Sequence, residues 1–318
     1  MRAPSKDLMN KLASATLALY SYDNNPDDTS LQNIMRQAMG LIARFPVIIS
    51  HSYQAKRRYF DGTSMYLHIP DAHSSTAETI LHLIRPDGKF TDAEAKLLDR
   101  CLIIHAEHGG GNNSAFSTRV TSSSGTDTYS AIAAAVGALK GPKHGGANLK
   151  VCQMFDDIKR HIKDWADEDE VYNYLIKILN KEANDNSGLI YGMGHAIYTL
   201  SDPRAVALKA AARPLAEKKG YKKEMELIEL VEKLTPKAFA EVKGSDVKVM
   251  CANVDMYSGF VYEMLGIPRE MFTPLFATAR ISGWLGHRIE EVMTGGKIIR
   301  PAYKSISKKT QYTPIEKR

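Results

Sequence analysis

Cysteine is scarce. Cys101, Cys152 and Cys251 are the only three in 318 residues, too few and too scattered for a disulfide framework or a zinc knuckle. A reducing, cytoplasmic setting is therefore expected. No apolar run approaches the roughly 18 residues that a bilayer-spanning helix needs, so no membrane association is expected. The N-terminus lacks a signal-peptide pattern, because Asp7 and Lys11 interrupt it before any long apolar stretch. Charge of a single sign is also missing: 42 Lys and Arg face 36 Asp and Glu, a net of +6, and the basic residues are dispersed. The one dense run, Lys304 to Lys309, is expected to be a solvated tail rather than a nucleic-acid stripe. No Gly-Lys-Ser/Thr follows Gly109, Gly110 and Gly111, so they do not form a phosphate loop, and no strand–GxGxxG–helix context marks a dinucleotide fold.

Helical periodicity fills most of what is present, and the fold class expected is all-α. Met9, Leu12, Thr16 and Leu19 form one stripe after a Ser5 start signal. Ile34, Ala38, Leu41, Ile42 and Phe45 form another, which Pro46 is expected to kink or end. Ser75-x-x-Glu78 and Thr91-x-x-Glu94 are capping boxes, each opening an apolar-periodic run. Asn148 is the expected N-cap for Val151, Met154, Phe155, Ile158 and Ile162, and Asp167 opens a helix carrying Val171, Leu175, Ile178 and Leu179. Thr273-Pro274 places a cap before a proline at the first helical position, ahead of Leu275, Ala279, Arg280 and Trp284. The best strand signals, Leu189 to Tyr191 and Val247 to Met250, are short. A chain of 318 residues makes one large domain or two modest ones.

Four histidines sit beside glycine or small residues: His108 in HAEHGGGNN, His144 in GPKHGGAN, His195 in YGMGHAIY and His287 in GWLGHRIE. A histidine after glycine on a loop is open to a ligand yet can be oriented by backbone hydrogen bonds, which is what general acid–base chemistry needs. Taken singly, each is as readily a satisfied polar residue at a helix end. His105 and His108, three apart on one helical face, raise the rival of a metal-dependent hydrolase, but the second helical ligand pair of such enzymes is missing and no metal is expected.

As a set, HAEHGGGNNSAF, SSSGTDTYSAIAAAVGALKGPKHGGAN, YGMGHAIYTLSDPRA, NVDMYSGFVYEMLGIP and FTPLFATARISGWLGHRIE resemble the citrate synthase family in order and spacing, from about Ala3 to Pro301. The resemblance implies a large helical domain (1–143 and 254–318) and a small helical domain (144–253) that closes over the active site. It places His144, His195 and Asp255 at the catalytic positions. Asp255 would take a proton from the acetyl methyl of acetyl-CoA, His144 would donate a hydrogen bond to the thioester oxygen, and His195 would protonate the oxaloacetate ketone. Oxaloacetate would be held by His108, Asn112, Arg204, Arg280 and Arg300, the last entering from the partner subunit of a homodimer. Leu189, Tyr191, Gly192, Met193 and Gly194 would wrap the CoA adenine. Acetyl-CoA is then a co-substrate, with no permanently bound cofactor, and the small-molecule substrates and a second copy of the chain are the partners.

A neutral imidazole is the right donor to a developing enolate, and the helix expected after Asn148 would disfavour imidazolium at His144. Two features depart from the family's pattern: the chain opens without the usual N-terminal helical segment, and Thr199 stands where a basic residue is common. The short N-terminus raises the alternative of a non-catalytic paralogue that binds oxaloacetate or a full-length partner, and a 2-methylcitrate synthase using propionyl-CoA is the other alternative, since one methylene changes discrimination by only ~1–3 kcal/mol.

Overall fold

Helix caps divide the chain into its elements. The computed structural model describes residues 3–194, 198, 200–244 and 250–318. Among them lie twelve α-helices: α1 (Leu8–Leu19), α2 (Leu31–Phe60), α3 (Thr76–Ile84), α4 (Asp92–His105), α5 (Asn113–Ser123), α6 (Thr128–Lys140), α7 (Ala147–His161), α8 (Glu168–Leu179), α9 (Pro203–Lys219), α10 (Lys222–Lys243), α11 (Asp255–Met264) and α12 (Phe272–Met293). The only extended pairing among the described residues is an isolated antiparallel bridge between Met193 and Ala252. The architecture is all-α.

Both capping boxes form, with Ser75 and Thr91 accepting from the third helical N–H while Glu78 and Glu94 reach back to the cap. Asp167 accepts from Asp169 and Glu170 and opens α8 as expected. Other boundaries differ from the sequence reading. Asp7, not Ser5, caps α1. Pro46 neither ends nor splits α2, which runs 30 residues through it. The lost N–H and the ring clash are outweighed there by a long buried stripe, since Ile34, Leu41, Phe45 and Ile49 are all at most 1% exposed. Gly146, not Asn148, caps α7, and Asn148 lies buried inside the first turn with no partner for its Oδ1 among the described residues. Thr273 does not cap α12. A short 3-10 turn over Arg269–Met271 runs straight into that helix, and Thr273 Oγ1 donates to Gly145 O at 3.0 Å. Leu189 to Tyr191 is not a strand, and Val247 to Val249 lie outside the described residues.

The predicted stripes are where the core is. Leu12, Leu41, Ile80, Leu98, Ile132, Met154, Leu175, Val231, Val261 and Trp284 belong to one continuous apolar cluster that threads the helices from α1 to α12. Two parts of this packing position chemistry. α12 lies against α2, α4, α5 and α6, and α11 lies against α7 and α9. No helix among the described residues is long and apolar enough to cross a membrane.

Candidate active site

One face of α12 organises the site. Phe276, Arg280, Gly283, Trp284 and His287 recur at three- and four-residue spacing, so they share that face. Phe276 is the hub. His105 and His144 meet its ring edge-on at centroid distances of 5.2 and 6.2 Å, and the Arg280 guanidinium stands 4.8 Å from its centroid.

Arg280 is 1% exposed. Its Nε donates to His105 O at 2.7 Å, and its Nη1 has no hydrogen-bond partner among the described residues. Burial lowers its pKa to about 10, so it remains a cation at neutral pH. The contrast is Arg288, two turns on and equally buried. Its three nitrogens donate to Thr128 Oγ1, Ser122 Oγ and Thr126 O. Arg288 is a satisfied structural residue, whereas Arg280 carries an incompletely paired charge. Such a group costs several kcal/mol unless an anion completes it.

His144 sits in the tight turn from Gly141 to Gly146. Its N–H donates to Gly141 O at 2.9 Å, and the Gly145 N–H donates to Leu139 O at 3.0 Å. The helix α7 begins three residues after His144, with Gly146 as its cap. Burial, then the charge of Arg280, lowers its pKa and keeps the ring neutral. Its Nε2 is 2.9 Å from Ser114 Oγ, which accepts Trp284 Nε1–H at 3.0 Å and lies 3.0 Å from Asn112 Oδ1. A hydroxyl has one proton to give, so whether it goes to Asn112 or to His144 decides which imidazole nitrogen carries the hydrogen.

Asp255 is the first residue of α11, and its N–H donates to Asn253 Oδ1 at 3.0 Å. Burial raises its pKa to about 6, against the opposing pull of Arg204 and Arg280, while Asp202 raises it further. The charge of Arg280 thus acts on both His144 and Asp255, residues 111 positions apart in the chain. His195 lies outside the described residues, as does Thr199.

Arg204 is held by Asp202, the N-cap of α9, with Nε to Oδ1 at 3.0 Å and Nη2 to Oδ2 at 2.8 Å. His108 and Asn112 bracket the glycine turn between α4 and α5, and both are partly buried. Arg300 is exposed in the extended segment after α12. His105 is buried with Nδ1 on Cys101 O at 2.7 Å, and burial lowers its pKa to about 4. It faces the core rather than a shared site with His108, and no three His, Cys, Asp or Glu gather as metal ligands among the described residues.

The segment from Leu189 to Gly194 is clasped to the approach to Asp255. Gly194 N donates to Cys251 O at 2.7 Å, Asn253 N to Gly192 O at 2.9 Å and Asn253 Nδ2 to Gly194 O at 3.0 Å. Gly192 has φ +84°, and a Cβ there would lie 3.0 Å from the Met256 Cα, so only glycine fits. Tyr191 donates to Asp185 Oδ2 at 2.7 Å, and Leu189 is exposed. Sequence reasoning missed Ser114, Phe276 and Asp202. For Phe276 a signal existed, its position one turn before Arg280. For Ser114 there was none.

An all-helical body thus holds a buried cation, a neutral histidine and a carboxyl of raised pKa, the kinds of group that acid–base chemistry on a carboxylate substrate needs. The family description "Citrate synthase, C-terminal domain" matches residues 1–302. The chain is 35% identical over 312 residues to a citrate synthase from Acidithiobacillus ferridurans, covering 96% of this chain and 74% of that one. It is 42% identical over 207 residues to a citrate synthase from Synechocystis, a match spanning 65% of this chain but only 47% of the relative. Among solved structures it resembles the ternary complex of carboxymethyl coenzyme A and oxaloacetate with citrate synthase from Thermoplasma acidophilum. That match has a TM-score of 0.77 at 28% identity and covers 100% of this chain and 78% of that one. The chain belongs to the citrate synthase family.

Proposed function

We propose that the protein condenses acetyl-CoA with oxaloacetate to citryl-CoA and hydrolyses it to citrate and CoA. The observation that carries this reading is Arg280, a buried guanidinium with an unpaired Nη1 whose charge acts on both His144 and Asp255. A substrate carboxylate is the anion that would complete it, and the planar fork of arginine suits both of its oxygens. Arg204, with His108 and Asn112, would complete the dianion site. Asp255, with its pKa near 6, is a stronger base than an ordinary carboxylate and still mostly ionised at pH 7. It takes a proton from the acetyl methyl as His144 donates a hydrogen bond to the thioester oxygen. The enol carbon then bonds to the ketone carbon of oxaloacetate, and the ketone oxygen receives its proton from His195. Water cleaves the thioester, releasing the CoA thiol.

For Nδ1 of His144 to donate, Ser114 must give its proton to Nε2. In the structure Ser114 Oγ instead donates to Asn112 Oδ1 at 3.0 Å, so this step requires the Asn112 amide to turn over and present its NH2 to Ser114 Oγ. The loop from Leu189 to Gly194, including Tyr191 and Met193, is assigned to the CoA adenine, and its clasp on 251–253 couples cofactor arrival to Asp255. Residues 144–253 form the small domain that closes on residues 1–143 and 254–318 and excludes water until citryl-CoA has formed. The working unit is a cytoplasmic homodimer with no resident cofactor.

Thiol release from acetyl-CoA and propionyl-CoA in the presence of oxaloacetate tests the assignment. A higher kcat/KM for acetyl-CoA is expected. A preference for propionyl-CoA would make the protein a 2-methylcitrate synthase, since one methylene shifts discrimination by only ~1–3 kcal/mol. No thiol release from a folded dimer would overturn catalysis in favour of a binding role.

A further inference from the structure

His287 was one of four glycine-flanked histidines, and the reaction above leaves it without a task. Its Nε2 lies 3.1 Å from Glu107 Oε1, and its Nδ1 lies 3.4 Å from Glu290 Oε2. The same Glu107 oxygen accepts the backbone N–H of His108 at 2.8 Å and that of Gly109. Gly109 has φ +85°, so successive N–H groups turn inward on one carboxylate oxygen, a small anion nest closed by an internal ligand.

α12 presses on this nest from beneath. A Cβ at Gly283 would lie 2.4 Å from both Ala106 O and Glu107 Oε2, and one at Gly110 would lie 3.1 Å from the His287 ring. One turn earlier, Arg280 Nε holds His105 O. The backbone from His105 to Gly110 is therefore tied to α12 at Arg280, Gly283 and His287, three successive steps of one helix face. Glu107 also acts electrostatically on Arg280 and raises its pKa.

We infer that Glu107 and His287 are positioning residues of the oxaloacetate site: they fix the backbone that carries His108 to the helix that carries Arg280. This rests on the functional reading above. Neither residue needs to touch substrate. Glu107 carries the turn, and His287 holds Glu107 against the helix that also carries Arg280, so the imidazole and the guanidinium that would share one dianion are referenced to the same rigid element. Without the pair, the turn keeps the Asn112 N–H to Gly109 O bond but loses its anchor to α12, and the ordering entropy falls on substrate binding.

The test uses full-length His287→Ala, His287→Gln, Glu107→Ala and Glu107→Gln. His287→Ala should raise the KM and Kd for oxaloacetate about tenfold, equivalent to about 1.4 kcal/mol. It should leave kcat at saturating substrate within about threefold and the KM for acetyl-CoA unchanged. The glutamine variants retain a donor or an acceptor at the same place and should recover most of the loss, which a generally structural role would not do. Backbone hydrogen exchange at residues 107–111, measured without ligand, should rise in His287→Ala and return in His287→Gln. Unchanged exchange in His287→Ala would overturn the inference whatever the substrate. So would equal impairment of the alanine and glutamine variants, or unaltered oxaloacetate affinity in His287→Ala. A wild-type protein that binds no oxaloacetate would instead sink the functional reading, with the exchange data still judging the pair.

Discussion

Two arginines on α12, 280 and 288, are the same residue in the same helix at the same burial, and their roles are opposite. Sequence spacing cannot separate them. The unspent Nη1 of Arg280 does. The same scale governs Asp255. Its folded pKa of about 6 exceeds the ordinary value near 3.8, so the native state holds its proton more tightly than the unfolded chain. Stability from this group is present at pH 4 and is lost as pH rises through 6. Asp255→Asn should therefore melt higher than wild type at pH 8, with the gain vanishing at pH 4 in thermal scans. The same variant should abolish condensation while leaving oxaloacetate binding nearly intact by calorimetry, and wild-type kcat/KM should fall below about pH 6. Ser114→Ala removes the group that orients His144 and leaves Trp284 Nε1–H unpaired. A kcat loss of roughly 10–100-fold is expected in steady-state assays, since such bonds are worth ~1–3 kcal/mol.

Elements place these residues through backbone contacts that composition does not announce. The turn from Gly141 to Gly146 is compressed between α6 and α12. A Cβ at Gly145 would sit 2.2 Å from Leu139 O and 2.7 Å from Thr273 Cγ2. Gly145→Ala should cost ~1–3 kcal/mol or more and lower the melting temperature by several degrees, displacing His144 and reducing kcat with it. Calorimetric scanning beside kinetics checks both. Helix existence was legible from apolar periodicity, and the capping boxes at Ser75 and Thr91 were legible to the residue. Asn148 and Thr273 misled because each is a good capping type drawn into tertiary packing: Asn148 is buried under α11, and Thr273 is tied to Gly145. Of the two effects expected of Pro46, ending the helix does not occur, because a 30-residue helix with a fully buried stripe absorbs one broken backbone bond.

At the scale of the molecule, the apolar cluster runs unbroken from α1 to α12, and Lys219 of α9 reaches Glu94 of α4 at 2.6 Å, between the two proposed domains. Arg85 holds the same Glu94 carboxylate at 2.9 Å, and this pairing keeps its pKa well below the usual range. The proposed dimer gives Arg300 its task. Its exposure in the segment after α12 leaves it available to a partner subunit. Mixing Arg300→Ala with His144→Ala subunits should restore one working site per mixed dimer, measured as thiol release above that of either parent. Absence of any recovery would place Arg300 within its own subunit.

The sequence alone determined the helical class, the buried stripes and the family, because periodicity and short motifs are local and survive without coordinates. It also singled out His144, His195 and Asp255 as candidates, on the family's motifs. Only the tertiary structure decided that Arg280 Nη1 is unpaired while Arg288 is satisfied, that Ser114 meets His144 Nε2, and that His287 reaches Glu107 across 180 residues. Those are questions of which polar group finds a partner after burial, and partners distant in sequence are chosen by packing rather than by neighbours along the chain.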